Sequence, residues 1–505
     1  MRRRTGLLAL GLAGLLALLS LGLAVVLSPP VALRRLPAPP GTVPPDLVYL
    51  LDRLGDDGMP TTRLLAVRAD TGTVVGLPLA LPWPEMFTTR LAFSADGAWL
   101  FVGRARQQGQ WGLATVEVFD ARRLRPWGDL YSVRVEARGG PEDGPAVTTV
   151  PVPSPDGQIL AVLQEERLVG RLGGPWRRAS VGLIDLPSRT VLAQVPLAEV
   201  EAEGSGLHGR FTADGRRLVL CRERLVGRRL AGVDLVTVDL PARQVVARRT
   251  LETTPPAGCG HWWVAPTGQA VYFLDRQAET SGLAVRAAPD WSPAGFIPLP
   301  GDAISPNRAP LFTLLAPDGR SLFVIAERDQ RWSLLKVDLP ARQVVARQSL
   351  MVPDEERPAY LLFDRLLAFL APVAEAKPIP LPLQAVLSPD GRRLYVPAVR
   401  VTAPFRDPWG NPREARSDGL WVLAADDLRP LGRLLPGRAL WGWGSVLALS
   451  STGDRLYVLD AAGGALTVVD VGSGAELATW PGLVTHLAQI ERVVPAAPEM
   501  LSAGS

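Results

Sequence analysis

An all-β ring built from four-stranded repeats, preceded by one transmembrane helix, is the fold class this sequence predicts. Three observations carry that expectation. A turn pattern, Ser/Thr/Ala-x-Asp/Thr-Gly followed by a short apolar run, occurs seven times. A second apolar hairpin follows in most repeats. The chain opens with three arginines and then a long uncharged stretch rich in leucine.

The copies of the turn begin at Ser94, Ser154, Thr212, Ala265, Ala316, Ser388 and Ser450, and each ends in glycine, from Gly97 to Gly453. Asp-Gly between apolar runs is a hairpin signal, because the turn needs positive φ, which glycine reaches without steric cost and aspartate is expected to tolerate. The second hairpin is clearest in Leu235–Asp239 with Gln244–Ala247, and again in Leu334–Asp338 with Gln343–Ala346. The text VDLPARQVVARRTL from Val238 recurs as VDLPARQVVARQSL from Val337, which argues for internal duplication. Four strands per repeat, with glycines roughly 50 to 70 residues apart, is the scale of a β-propeller blade.

Second hairpins centre near Val67, Val118, Leu183, Val236, Val285, Leu335, Val422 and Val468, so the count favours eight blades. Seven is the alternative, because Leu283 to Ile297 carries Pro289 and Pro293 and reads as a poor strand pair. The first blade lacks an Asp-Gly copy and has one strand, Leu47 to Asp52, before its second hairpin. The strand expected at Leu483 to Ile490 has no partner of its own. The C-terminal strand is therefore expected to complete the first blade, which removes an exposed sheet edge.

Across residues 47–493 these repeats make the chain resemble the bacterial YVTN/WD40-like β-propeller repeat proteins. The resemblance implies the propeller fold. It leaves function open, since that superfamily hosts carriers, scaffolds, lactonases and quinoprotein-like enzymes, and fold does not imply function.

Length alone, 505 residues, would suggest about three domains, but the repeat favours one ring. The net charge of +4 is small, and arginine is spread through turns, so nucleic acid is not an expected partner. Leu7 to Leu27 spans about 31 Å as a helix, near the hydrocarbon thickness of a bilayer. Residues 1–28 are thus expected to be an uncleaved signal anchor, with secretion after cleavage as the alternative. Arg2 to Arg4 favour a cytoplasmic N-terminus and an extracytoplasmic propeller. Residues 29–46, rich in proline, read as a stiff linker, and 494–505 as a disordered tail. Export permits a disulfide between Cys221 and Cys259; two buried thiols is the reading slightly favoured.

Motifs for chemistry are absent: no Gly-x-Ser-x-Gly elbow, no His-Glu-x-x-His, no P-loop and no Cys-x-x-Cys-His for covalent haem. No catalytic residue, metal site or cofactor is assigned. Asp52, Asp56 and Asp57 miss the calcium-loop spacing and read as a solvated turn. Features in every blade are scaffold, including Asp120, Asp185, Asp239, Asp338 and Asp470, expected to accept backbone hydrogen bonds in turns. Function should lie where repeats differ.

The three histidines are one difference. His208 and His261 sit four residues before the turn motif of their blades, and His486 aligns with them; Arg90 and Gln384 hold the same position elsewhere. First strands line a propeller's central channel, so these five residues are candidate ligand-binding groups at its mouth. The alternative is polar packing between blades. The other difference is an insertion, about 353–375, in which Pro358 to Leu370 reads as a short helix. Leu361, Leu362 and Phe369 there, with Trp409, Trp441 and Trp443, are candidates for partner binding.

The reading favoured by the sequence is a non-enzymatic, membrane-tethered binding or scaffold module for a protein or small ligand. The alternative is a lactonase-like or quinoprotein-like enzyme using the channel mouth.

Overall fold

The computed structural model describes residues 46–495 except 55–60, 82–90, 109–110, 124, 137–146, 169–175, 198, 202–205, 227–228, 252–258, 260, 278–279, 301–311, 329–330, 353–383, 402–414, 439, 441–445, 461–463 and 485–487. The protein is an all-β, eight-bladed propeller, and the described residues contain no helix. The apolar N-terminal run and the expected helix at 358–370 lie outside the described residues. Among those described, no helix is long and apolar enough to cross a membrane.

Blade 1 is ordered Gln489–Pro495, Asp46–Leu54, Thr61–Arg68, Val74–Leu81. Blades 2 to 8 begin with Leu91–Phe93, Val147–Pro153, Leu207–Phe211, Trp262–Val264, Phe312–Leu315, Val386–Leu387 and Leu447–Leu449, and each adds its next three strands in chain order. In blade 3 a two-residue strand, Val200–Glu201, also pairs with Trp176–Asp185. First strands of successive blades touch one another from blade 2 to 5, from 7 to 8, and from 8 to Gln489–Pro495. They form the inner wall.

The second and third strands are nearly continuous apolar runs because both faces are covered by neighbouring blades. Successive side chains point to opposite faces: Leu47, Tyr49 and Leu51 pack toward blade 2, while Val48 and Leu50 pack toward blade 8. Every blade junction has a cluster of this kind, so stability is distributed along nearest-neighbour interfaces. The outer strands alternate exposed and half-buried residues, as in Gln244–Leu251 and Gln343–Ser349.

The turn motif works differently from the expectation in one respect. All seven motif glycines have positive φ, from 63° to 75°, but none of the aspartates does. The aspartate instead accepts hydrogen bonds. In blade 3, Ser154 Oγ donates to Asp156 Oδ1 at 2.6 Å and accepts from Ile159 N at 2.9 Å, and Gln158 N donates to Asp156 Oδ1 at 3.0 Å. Blades 2, 4 and 7 repeat this network. The five recurring third-strand aspartates do accept turn N–H groups, at 2.7–2.9 Å.

The duplicated segment folds the same way twice. Arg243 and Arg342 have φ of 55° and 57°, and Val238 pairs with Val245 as Val337 pairs with Val344. Each arginine donates to a fourth-strand carbonyl of the preceding blade, Leu192 and Ala294 respectively. Pro289 and Pro293 are accommodated without loss of a blade. Pro289 lies in the turn, and Pro293 lies on the outer strand beside a register shift, where a missing N–H costs least.

Two further expectations are corrected. The last strand is Gln489–Pro495, later than 483–490, and it pairs with Asp46–Leu51. Asp52 is not in a solvated turn: it is fully buried and opposite Arg63, which donates to Asp52 Oδ2 from Nε and Nη2 at 2.9 and 2.8 Å.

Candidate functional site at the inner ends of blades 4 and 5

His208 and Arg210 are two residues apart on the first strand of blade 4, so their side chains leave the same face. That face is turned to blade 5, where Arg210 Cζ lies 5.8 Å from the ring centroid of Trp262. His261 immediately precedes Trp262, and its carbonyl accepts from Leu274 N at 3.2 Å, which fixes it to the blade.

A disulfide stitches this junction. Cys221 pairs with His208 across the first two strands of blade 4. Cys221 is bonded to Cys259, with Cα atoms 5.7 Å apart, and Cys259 lies two residues before His261. The slightly favoured reading of two thiols is thereby corrected. Spacing left the choice open because two blades had to be brought edge to edge before the sulfurs met. Glu223 Oε1 accepts from Cys259 N at 2.7 Å. A Cβ on Gly206 would lie 3.0 Å from His208 Nε2 and 3.4 Å from Glu223 Oε2, so imidazole and carboxylate converge over that glycine. Behind them, Arg222 and Glu165 form a buried ion pair at 3.2 Å between blades 4 and 3.

His208 and Arg210 are open to water at the inner wall, whereas His261 is half-buried. Surrounding protein still displaces part of the water around each side chain, and this desolvation is the largest cause of each shift. Burial lowers His261 to about 4, with the charges of Arg210 and His208 adding to the effect. Burial also lowers His208; Glu223 and Glu165 oppose this and Arg210 reinforces it. The Arg210 guanidinium is lowered by burial as well. Among the described residues no carboxylate pairs with Arg210. The site therefore presents one cation and two imidazoles that are neutral at pH 7.

Of the five channel candidates, the structure brings His208 and His261 together. Gln384 is elsewhere and its amide is engaged: Oε1 accepts from Val446 N and Leu447 N at 2.7 and 2.9 Å, and Nε2 donates to Leu447 O at 3.1 Å. It ties blade 7 to blade 8. Arg90, His486, Leu361, Leu362, Phe369, Trp409, Trp441 and Trp443 lie outside the described residues. Sequence reasoning missed Arg210, Glu223, Glu165 and Arg222. Arg210 had a signal, its position two residues beyond His208 on one strand; the others are set by cross-strand register. No group of three or more His, Cys, Asp or Glu side chains among the described residues is arranged to hold a metal ion.

No protein-family model and no curated protein matches the sequence. Among solved structures, the chain is similar to the dihydro-heme d1 dehydrogenase NirN in complex with DHE, at 16% identity and a TM-score of 0.44, over 92% of this chain and 77% of that one. It is similar to apo AztD from Citrobacter koseri, at 11% identity and a TM-score of 0.41, over 89% and 98% of the two chains. It is also similar to the Dos1 propeller, at 13% identity and a TM-score of 0.40, over 69% and 73%. At these identities the likeness is one of fold.

Proposed function

We propose that this protein is a non-enzymatic β-propeller, tethered by residues 1–28 on the extracytoplasmic side of a membrane, that binds a small ligand at the inner ends of blades 4 and 5. The observation that carries the reading is the convergence of His208, Arg210 and His261 at one blade junction. The groups that recur in every blade are committed to turns, whereas these three are not part of the repeat. The Cys221–Cys259 disulfide supports an oxidising compartment, and the basic, then apolar, N-terminus supports the tether. The turn motifs support kinship with the YVTN/WD40-like repeat proteins. The sheet shared by Gln489–Pro495 and Asp46–Leu54 supports a ring closed by its own C-terminal strand. The insertion at 353–375 is the proposed surface for a protein partner.

Native mass spectrometry with elemental analysis of the full chain in detergent tests the binding role. A copurifying small molecule that is lost in His208→Ala/His261→Ala supports it; retention in that variant refutes the site. Protease protection in membrane vesicles tests the placement, and digestion of the propeller from the cytoplasmic side alone would overturn it. A lactonase-like or quinoprotein-like enzyme is the second reading, favoured by one feature: two imidazoles, His208 and His261, stand at one blade junction, and imidazole is the side chain most used for acid–base catalysis. A quinone or metal bound near one per chain would shift the assignment to that class.

A further inference from the structure

We infer that the ligand carries an oxyanion, a carboxylate or phosphate group, with Arg210 as its anchor and the His208 and His261 N–H groups as additional donors. The inference rests on the binding role proposed above and names its chemistry.

Arg210 is exposed at the inner wall, and no carboxylate partner meets it there among the described residues. Elsewhere in this ring buried or half-buried arginines have such partners: Arg63 has Asp52, Arg222 has Glu165, and Arg400 has Asp418. Arg210 has, among the described residues, only the face of Trp262. The nearby acids are occupied. Glu165 is in its ion pair, and Glu223 accepts the Cys259 N–H while facing His208 over Gly206. His208, His261 and Arg210 are close enough for their charges to act on one another. His208 and Arg210 are exposed at the inner wall, where a solute in the channel arrives, and His261 is half-buried beside them. Guanidinium is the side chain best matched to the paired oxygens of carboxylate and phosphate, and each neutral imidazole has one N–H to add. The disulfide joins Cys221, opposite His208 on the neighbouring strand, to Cys259, two residues before His261, and so ties the two blades together beside the donors, which lowers the ordering cost of binding.

The sequence contains three histidines, so selective histidine labelling gives a three-signal NMR spectrum of the full chain in detergent. His486→Gln identifies the third signal. Acetate and inorganic phosphate are titrated separately. The expected result is saturable movement of the His208 and His261 signals, weakened about tenfold or more in Arg210→Gln and less in Arg210→Lys. Saturation by acetate alone assigns a carboxylate; saturation by phosphate alone assigns a phosphate. An unmoved third signal and an unchanged thermal midpoint show that Arg210→Gln is folded. Equal shifts in Arg210→Gln and the parent would overturn the inference. If Zn²⁺ moves both signals at one per chain while neither anion does, the anion assignment fails and the binding role stands. If no probe moves them and native mass spectrometry finds a bare chain, both fail.

Discussion

Tyr457 Oη donates to Asp46 Oδ2 at 2.6 Å, across 411 residues of sequence. Tyr457 is on the second strand of blade 8, and Asp46 opens the first strand of the chain's own sequence in blade 1. Both are buried. Burial raises the carboxyl above its ordinary range, an effect the tyrosine bond opposes. At the same junction Trp480 Nε1 donates to Ala69 O at 2.9 Å. The place where the chain begins its ring is thus joined to the blade that ends it.

Tyr457→Phe is expected to lose about 1–3 kcal/mol, because it leaves a buried carboxylate short of a donor. Urea unfolding of the variant and parent checks this. A loss within error would mean that the blade 8 to blade 1 contact contributes little to stability.

The turn glycines separate conformation from contact. Gly157 has φ of 67° with nothing within 4 Å of an added Cβ, so Gly157→Ala should cost about 1–2 kcal/mol from backbone alone. Gly319 has φ of 63° and packs against Pro266 of the preceding blade's turn. Gly319→Ala should be the more destabilising of the two. Thermal midpoints in the reverse order would refute the contact argument.

The disulfide closes a span of 38 residues. In the chain-entropy account, such a link contributes about 4 kcal/mol. The Cys221→Ser/Cys259→Ser variant should lose a comparable amount. Thiol titration in denaturant without reductant should find no free cysteine; two thiols per chain would exclude the bond.

His261 titrates near 4 in the fold, against about 6.5 unfolded. The unfolded chain therefore binds a proton that the folded chain refuses as pH falls from about 6.5 to 4. The stability contribution is complete above that window and lost as pH descends through it. His261→Gln should reduce the parent's loss of stability between pH 7.5 and 4.5 by on the order of 2 kcal/mol, allowing for partial exposure. Equal losses in parent and variant would show that His261 is not desolvated.

The blades were legible because their signals are local. A Ser-x-Asp-Gly turn needs one glycine at positive φ and a hydroxyl two residues from a carboxylate, and all of this lies within six residues of chain. Even the weak pair at Leu283 to Ile297 follows from where prolines are tolerated. Asp52 was misread for the complementary reason. Its neighbours Asp56 and Asp57 suggested solvent, while its partner, Arg63, is defined by cross-strand register. The histidine position was visible from repeat alignment, but the alignment treated Gln384 as an equivalent of His208. Packing separates them: one amide is buried against the backbone of the next blade, and one imidazole opens at the inner wall.

By itself the sequence determined the repeat, the strand order within a blade, the number of second hairpins and the few residues that break the pattern. These depend on backbone geometry and hydrophobic periodicity, which act between near neighbours in the chain. Tertiary structure alone decided which of those residues meet. It joined Cys221 to Cys259, set Arg210 beside His208 and His261, and paired Asp46 with Tyr457. Such contacts arise only when separate blades pack edge to edge, and the desolvation that lowers His261 exists only once that packing has excluded water.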